Sequence, residues 1–184
     1  LPCLRRRYTV PNTMTNDITH QDPTLQHLAA QLLMTSSVMA QLDANDAHQV
    51  ICYMRPCWVS AGETFMREGD QSNTNFMLLV LEGEVQIESH DLSADGSGIV
   101  VRVVGPGAMI GEMSLLDGQA RSVNCIALSD LQAMALYRDD FLRMLEDEPH
   151  LGSRFLLAMA TRTAARLREI TTKFKLLVQM NKAM

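Results

Sequence analysis

The sequence is short of cysteine, of clustered histidine, of net positive charge and of long apolar runs, and each shortage removes a class of protein. Its four cysteines, Cys3, Cys52, Cys57 and Cys125, form no Cys-x-x-Cys pair and no dense framework. That distribution fits a reducing cytoplasm better than secretion. No apolar run reaches membrane-spanning length and no secretory leader pattern opens the chain, so a soluble cytoplasmic protein without membrane association is expected. Sixteen Lys and Arg against 21 Asp and Glu give a net charge of −5. The chain as a whole therefore offers no attraction to nucleic acid, and no direct DNA binding is expected of it. The run Arg5-Arg6-Arg7 reads as a solvated basic stretch and is assigned no site.

Catalytic arrangements are equally scarce. The five histidines, His20, His27, His48, His90 and His150, are scattered singly. A metal-dependent cupin would instead place His-x-His with a further Glu and His on neighbouring strands. His48 and Cys52 sit four apart on one helical stretch but lack further ligands nearby, so they read as surface or core residues. Ser114 follows no Gly-x-Ser-x-Gly elbow. No catalytic residue, no metal and no cofactor is therefore expected, and the protein is read as a non-enzyme.

What is present is a chain of 184 residues with 47% hydrophobic content, enough for one packed domain and an extension. Residues 1–22 carry little periodic hydrophobicity and read as an arm or tail. Met14 is a conceivable natural start. From Pro23, Leu25, Leu28, Ala29, Leu32 and Leu33 recur at helical spacing. A second helix is expected from Asp43 as N-cap through Met54, stopped by Pro56. Short β runs follow at Trp58-Val59, Thr64–Met66, Phe76–Leu81, Val85–Glu88, Ile99–Val104, Ser122–Leu128 and Leu131–Leu136. Seven or eight such strands argue an antiparallel β-roll, jelly-roll-like, in a mainly β α+β fold with flanking helices. Asp91 to Gly98 is the most polar loop. The expected division is 1–22 arm, 23–148 roll and 149–184 long C-terminal helix.

Between the last strands lies the most informative stretch, Gly111-Glu112-Met113-Ser114-Leu115-Leu116-Asp117-Gly118-Gln119-Ala120-Arg121-Ser122. Gly111 and Gly118 permit positive φ and close backbone approach. Glu112 to Leu116 suits one helical turn whose unpaired amides face an anion. Arg121 supplies a planar fork that matches two phosphate oxygens. Glu112, an acceptor, suits a hydroxyl such as a ribose 2′-OH. The pair asks for a sugar carrying phosphate.

These residues resemble the phosphate-binding cassette of cyclic nucleotide-binding domains. The resemblance extends upstream through Glu68-Gly69-Asp70, Leu81-Glu82-Gly83-Glu84-Val85 and Gly105-Pro106-Gly107, and covers roughly Val38 to the C-terminal helix. It implies that Glu112 binds the ribose hydroxyl and Arg121 the cyclic phosphate, with Gly111, Ser122 and the amides of Met113 and Ser114 completing the cradle. The implied ligand is cyclic AMP, with cyclic GMP less favoured. Relatives that carry an iron–sulfur cluster hold several cysteines near the N-terminus, which Cys3 alone does not supply. A haem ligand, His90 or Cys57, has no positive support.

The last helix is expected from Leu151 to about Met180. Leu156, Thr163, Ile170 and Leu177 recur every seven residues, and Ala160, Leu167 and Phe174 fill the alternate seam positions. Such a helix suits a parallel homodimer, as the resemblance to bacterial cyclic-AMP receptor-type regulators implies; the alternative is a helix folded over its own roll. The resemblance also has this helix cap the base, for which Arg162, Thr163, Arg166 and Thr171 are candidates among which the sequence does not choose. Those regulators continue into a winged helix-turn-helix, for which no residues remain before Met184. The expected function is a sensor that signals through its helix to an unnamed effector. Two alternatives stand beside it: a dimerisation module with a vestigial pocket, and the sensor half of a ligand-gated transcription regulator.

Overall fold

A computed structural model describes residues 23–35, 41–89 and 99–182. The expected arm over residues 1–22, His90 and the polar loop 91–98 lie outside the described residues. Helix α1 (Pro23–Thr35) buries Ala29 and Leu33 of the expected stripe, with Leu25 and Leu32 half-buried against the core; Leu28 is 40% exposed instead, and Ala30, outside the stripe, is buried. Helix α2 (Ala44–Cys52) begins at the expected cap. Asp46 N donates to Asp43 Oδ1 at 2.8 Å and Asp43 N to Asp46 Oδ2 at 3.2 Å, a reciprocal capping box. The helix ends at Cys52 rather than Met54, because Pro56 already belongs to strand β1 (Arg55–Val59) and excludes helical backbone before it.

The remaining strands are β2 (Thr64–Met66), β3 (Phe76–Glu82), β4 (Val85–Ser89), β5 (Ile99–Val104), β6 (Met109–Ile110), β7 (Asn124–Ala127) and β8 (Leu131–Tyr137). They pair antiparallel into two four-stranded sheets, ordered β1-β8-β3-β6 and β2-β7-β4-β5. The two-residue β6 is missing from the expected list, since so short a run has no readable period; it is held by pairing Ile110 and Met109 with Leu78 and Leu79. β7 is shorter than the expected Ser122–Leu128 run because Ser122 and Val123 belong to the loop beside the cassette.

The continuous apolar run in β3 is explained by burial on both faces. Phe76, Leu78 and Val80 face the space between the sheets with Val85, Ile87, Cys125 and Ala133. Met77, Leu79 and Leu81 face the helical layer. β4 has only one covered face and alternates accordingly, burying Val85 and Ile87 but not Gln86 or Glu88.

Helix α3 (Glu112–Asp117) follows β6, and helix α4 (Arg138–Asp147) follows β8. α4 ends at Asp147, and Pro149 opens α5 (Pro149–Lys182), where its missing N–H costs nothing. α5 has 34 residues and at ~1.5 Å per residue is about 50 Å long. Only its first part is anchored, through buried Leu151, Phe155, Ala158 and Met159. From Leu167 to Asn181 every described side chain is exposed.

Candidate functional site

Six-residue α3 lies between two left-handed glycines, Gly111 at φ +85° and Gly118 at φ +70°. Gly111 has no room for a side chain: a Cβ would stand 2.5 Å from Arg121 Nη1, 2.8 Å from Met66 Cε and 3.2 Å from Phe76 O. Leu115 N donates to Gly111 O, so the amides of Glu112, Met113 and Ser114 have no carbonyl within the helix.

Arg121 and Glu112, nine residues apart, are 3% and 4% exposed, and both line one hollow with a free volume of about 30 Å³. Gly111, Met113, Ser114 and Ser122 border the same hollow. The structure thus brings together all six residues nominated from the cassette.

The loop that carries Arg121 is fixed by the Glu68-Gly69-Asp70 turn. Gly69 N donates to Arg121 O at 2.8 Å, and Arg121 N to Asp70 O at 3.0 Å. The Arg121 guanidinium then reaches three carbonyls: Nε to Asn73 at 2.8 Å, Nη1 to Gly111 at 3.2 Å and Nη2 to Phe76 at 2.9 Å. Its carbon centre lies 4.7 Å over the Phe76 ring. Burial lowers its pKa to about 10, against the opposing pull of Cys125, Asp70 and Glu112, so it stays charged at neutral pH. Three of five N–H groups are thereby taken by the protein's own backbone.

Glu112 is met by α5. Arg166 Nη1 approaches Glu112 Oε1 to 3.2 Å, and Arg162 Nη2 donates to Met109 O at 3.4 Å. Of the four base-capping candidates, the structure places these two arginines toward the cassette. Thr163 and Thr171 instead donate to the carbonyls four residues back, Met159 at 3.0 Å and Leu167 at 2.8 Å. Thr171 is exposed.

A fifth charged residue, Arg102, also lines the hollow and was not anticipated from sequence. The signal was available: it is the single charge in the otherwise apolar β5, Ile99-Val100-Val101-Arg102-Val103-Val104. Burial lowers its pKa, with Arg166 and Arg162 pushing the same way and Glu112 and Glu169 opposing.

Elsewhere, His48 lies on the surface, its ring bonded to Ala44 O at 2.7 Å and facing His27 at 3.3 Å. Among the described residues no group of three or more His, Cys, Asp or Glu is placed to hold a metal ion. Among them, too, no helix is long and apolar enough to cross a membrane.

The fold is a two-sheet antiparallel roll that carries a buried Glu–Arg pair between β6 and β7 and is met there by a C-terminal helix. The chain belongs to the cyclic nucleotide-binding domain family, whose profile matches residues 56–148. It is 32% identical over 116 residues to the cyclic AMP receptor protein of Thermus thermophilus, covering 63% of this chain and 50% of that protein. The chain thus spans about half the length of that relative. Among solved structures it resembles a cyclic nucleotide-binding domain from Methylobacillus flagellatus, with TM-score 0.69 and 26% identity over 79% of this chain and 80% of that one. It also resembles the regulatory domain of Toxoplasma gondii PKA in complex with cAMP, with TM-score 0.59 and 29% identity over 69% of this chain and 47% of that one. The expected fold and family are both borne out.

Proposed function

We propose that this protein is a cyclic-nucleotide sensor which, of the two common cyclic mononucleotides, takes cyclic AMP in preference to cyclic GMP. Glu112 accepts the ribose hydroxyl, and Arg121, with the amides of Met113 and Ser114 and the Ser122 hydroxyl, holds the cyclic phosphate. The observation that carries this reading is that a buried carboxylate and a buried guanidinium, Glu112 and Arg121, line one hollow beside a helix start. The likeness to the cyclic AMP receptor protein of Thermus thermophilus and to the cAMP-bound regulatory domain of Toxoplasma gondii PKA favours the adenine nucleotide.

Signalling follows from the same contacts. A ribose hydroxyl at Glu112 competes with Arg166 for the carboxylate, so ligand and α5 are coupled by their differential affinity for that side chain. The exposed seam of α5, with Leu167 and Phe174 each 64% exposed and Ile170 54% exposed, pairs with the same helix of a second copy. The homodimer then passes the change to an effector in the cytoplasm. The ligand leaves unchanged, and this chain makes no direct DNA contact.

A vestigial-pocket dimerisation module is the second reading, favoured by the three carbonyls already bonded to Arg121. Calorimetric titration with cyclic AMP and cyclic GMP separates the two. Saturable binding, tighter for cyclic AMP and abolished by Glu112→Gln and Arg121→Ala, supports the sensor; no saturation by the parent protein supports the second reading.

A further inference from the structure

The hollow is far more cationic than one cyclic phosphate requires. Four arginines converge on it or its wall: Arg121 beneath α3, Arg102 from β5, and Arg162 and Arg166 from α5. The carboxylate inside is Glu112, already in contact with Arg166 at 3.2 Å. Outside the lining of the hollow, Asp70 acts on Arg121, but its Oδ1 already accepts from the Ser72 amide and hydroxyl at 2.8 and 2.7 Å. Glu169 acts on Arg102 and Arg166, yet it is exposed and 2.6 Å from Lys173. Arg102, Arg162 and Arg166 are close enough for their charges to repel, and burial of Arg102 and Arg162 works against their charge in the same direction.

Arg102 Nε is buried with no hydrogen-bond partner among the described residues. A buried donor without an acceptor costs free energy and calls for a partner. A cyclic mononucleotide brings one negative charge, which Arg121 alone neutralises. Three arginines and one carboxylate would then still face each other around the sugar.

We propose that Arg102, Arg162 and Arg166 form a second anion subsite beside the cassette, and that the preferred ligand is a nucleotide carrying two phosphate groups. This rests on the reading of Glu112 and Arg121 as a nucleotide site. The first phosphate lies on Arg121, and the second draws Arg166 from Glu112, supplying the acceptor that Arg102 Nε lacks and freeing the carboxylate for the ribose hydroxyl. A doubly charged ligand thereby completes three sets of partners that a mononucleotide leaves incomplete.

The test is calorimetric titration of the full chain at one fixed salt concentration with cyclic AMP, cyclic GMP, cyclic di-AMP, cyclic di-GMP and adenosine 5′-diphosphate. The cyclic dinucleotides carry bridged phosphates and the diphosphate terminal ones, so the arms distinguish the two sources. At least one two-phosphate nucleotide is expected to bind about tenfold or more tightly than either mononucleotide, as one extra charge-assisted contact provides. Arg102→Ala should remove most of that preference while lowering mononucleotide affinity much less, and Arg102→Lys should restore part of it. Circular dichroism of each variant verifies the fold. If a mononucleotide saturates the protein as tightly as every two-phosphate ligand, or if Arg102→Ala leaves the preference intact, the second subsite is refuted and the cassette reading stands. If none of the five ligands saturates, both fail together.

Discussion

Arg166 Nη1 lies 3.2 Å from Glu112 Oε1, joining the middle of α5 to the first residue of α3 across 54 positions of sequence. The carboxylate side chain is 6% exposed and the arginine 32%. The buried member depends on the pair more than the half-exposed one does.

Removing the two members should therefore have unequal effects. Arg166→Ala strands a buried carboxylate and is expected to destabilise the fold more than Glu112→Gln, with a coupling of about 1 kcal/mol between them. Urea unfolding of the parent, both single variants and the double variant measures this. Additive effects within about 0.3 kcal/mol would show that the contact has no energetic weight.

Arg121 holds the fold as well as facing the hollow. Arg121→Ala leaves the carbonyls of Asn73, Gly111 and Phe76 without their donor and is expected to cost about 2 to 4 kcal/mol. Denaturant midpoints check it, and a change below about 0.5 kcal/mol would contradict the geometry. Binding losses in this variant accordingly need the Glu112→Gln comparison beside them.

Two glycines of matched backbone separate strain from crowding. Gly111 and Gly62 have φ +85° and +84°, but an added Cβ at Gly62 meets nothing within 4 Å. Gly62→Ala should cost about 1 to 2 kcal/mol, the left-handed penalty alone. Gly111→Ala should cost more and also displace Arg121, visible as weaker nucleotide binding. Equal thermal shifts for the two would reject the crowding argument.

Thiol chemistry reports the core directly. Burial pushes Cys57 and Cys125 up to about 12, whereas Cys52 is exposed. In the folded protein at neutral pH a thiol reagent should modify Cys52 and spare the other two, as peptide mapping can establish. The unfolded thiols ionise from about pH 9, so stability is unaffected by these groups below that pH. Above it the unfolded state binds fewer protons than the folded one, and stability should fall between about pH 9 and 12. Replacing both residues with Val should flatten that decline.

The exposed seam of α5 makes a prediction about assembly. Leu167→Glu combined with Phe174→Glu should convert a dimer to a monomer in light scattering, because both positions lie on the apolar stripe. A parent protein that is already monomeric would remove the reason for the stripe.

Local sequence carried much of this molecule because its signals are short-range. The Asp43 cap, the alternation in β4, the two-sided apolar run in β3 and the glycines around α3 each act within a few residues. Glu112 and Arg121 were legible for the same reason: they sit in one loop, and a charged pair flanked by glycines is rare enough to stand out. Pro149 was legible in the same way: α4 ends at Asp147 ahead of it and α5 opens on it.

What the sequence could not fix is rotation and distance. Arg162, Thr163, Arg166 and Thr171 are equivalent on paper, and the choice of the two arginines came from how Phe155, Ala158 and Met159 seat α5 on the helical layer. Arg102 stands out in β5 as its single charge, but its place in the hollow could not be read, because its neighbours there arrive from β6, α3 and α5, each remote in the chain. Composition and spacing determined the strands of a roll and a glycine-flanked Glu–Arg pair, since those depend on nearest neighbours. The surplus of positive charge around that cassette exists only after folding, because repulsion between arginines depends on their separation in space and not along the chain.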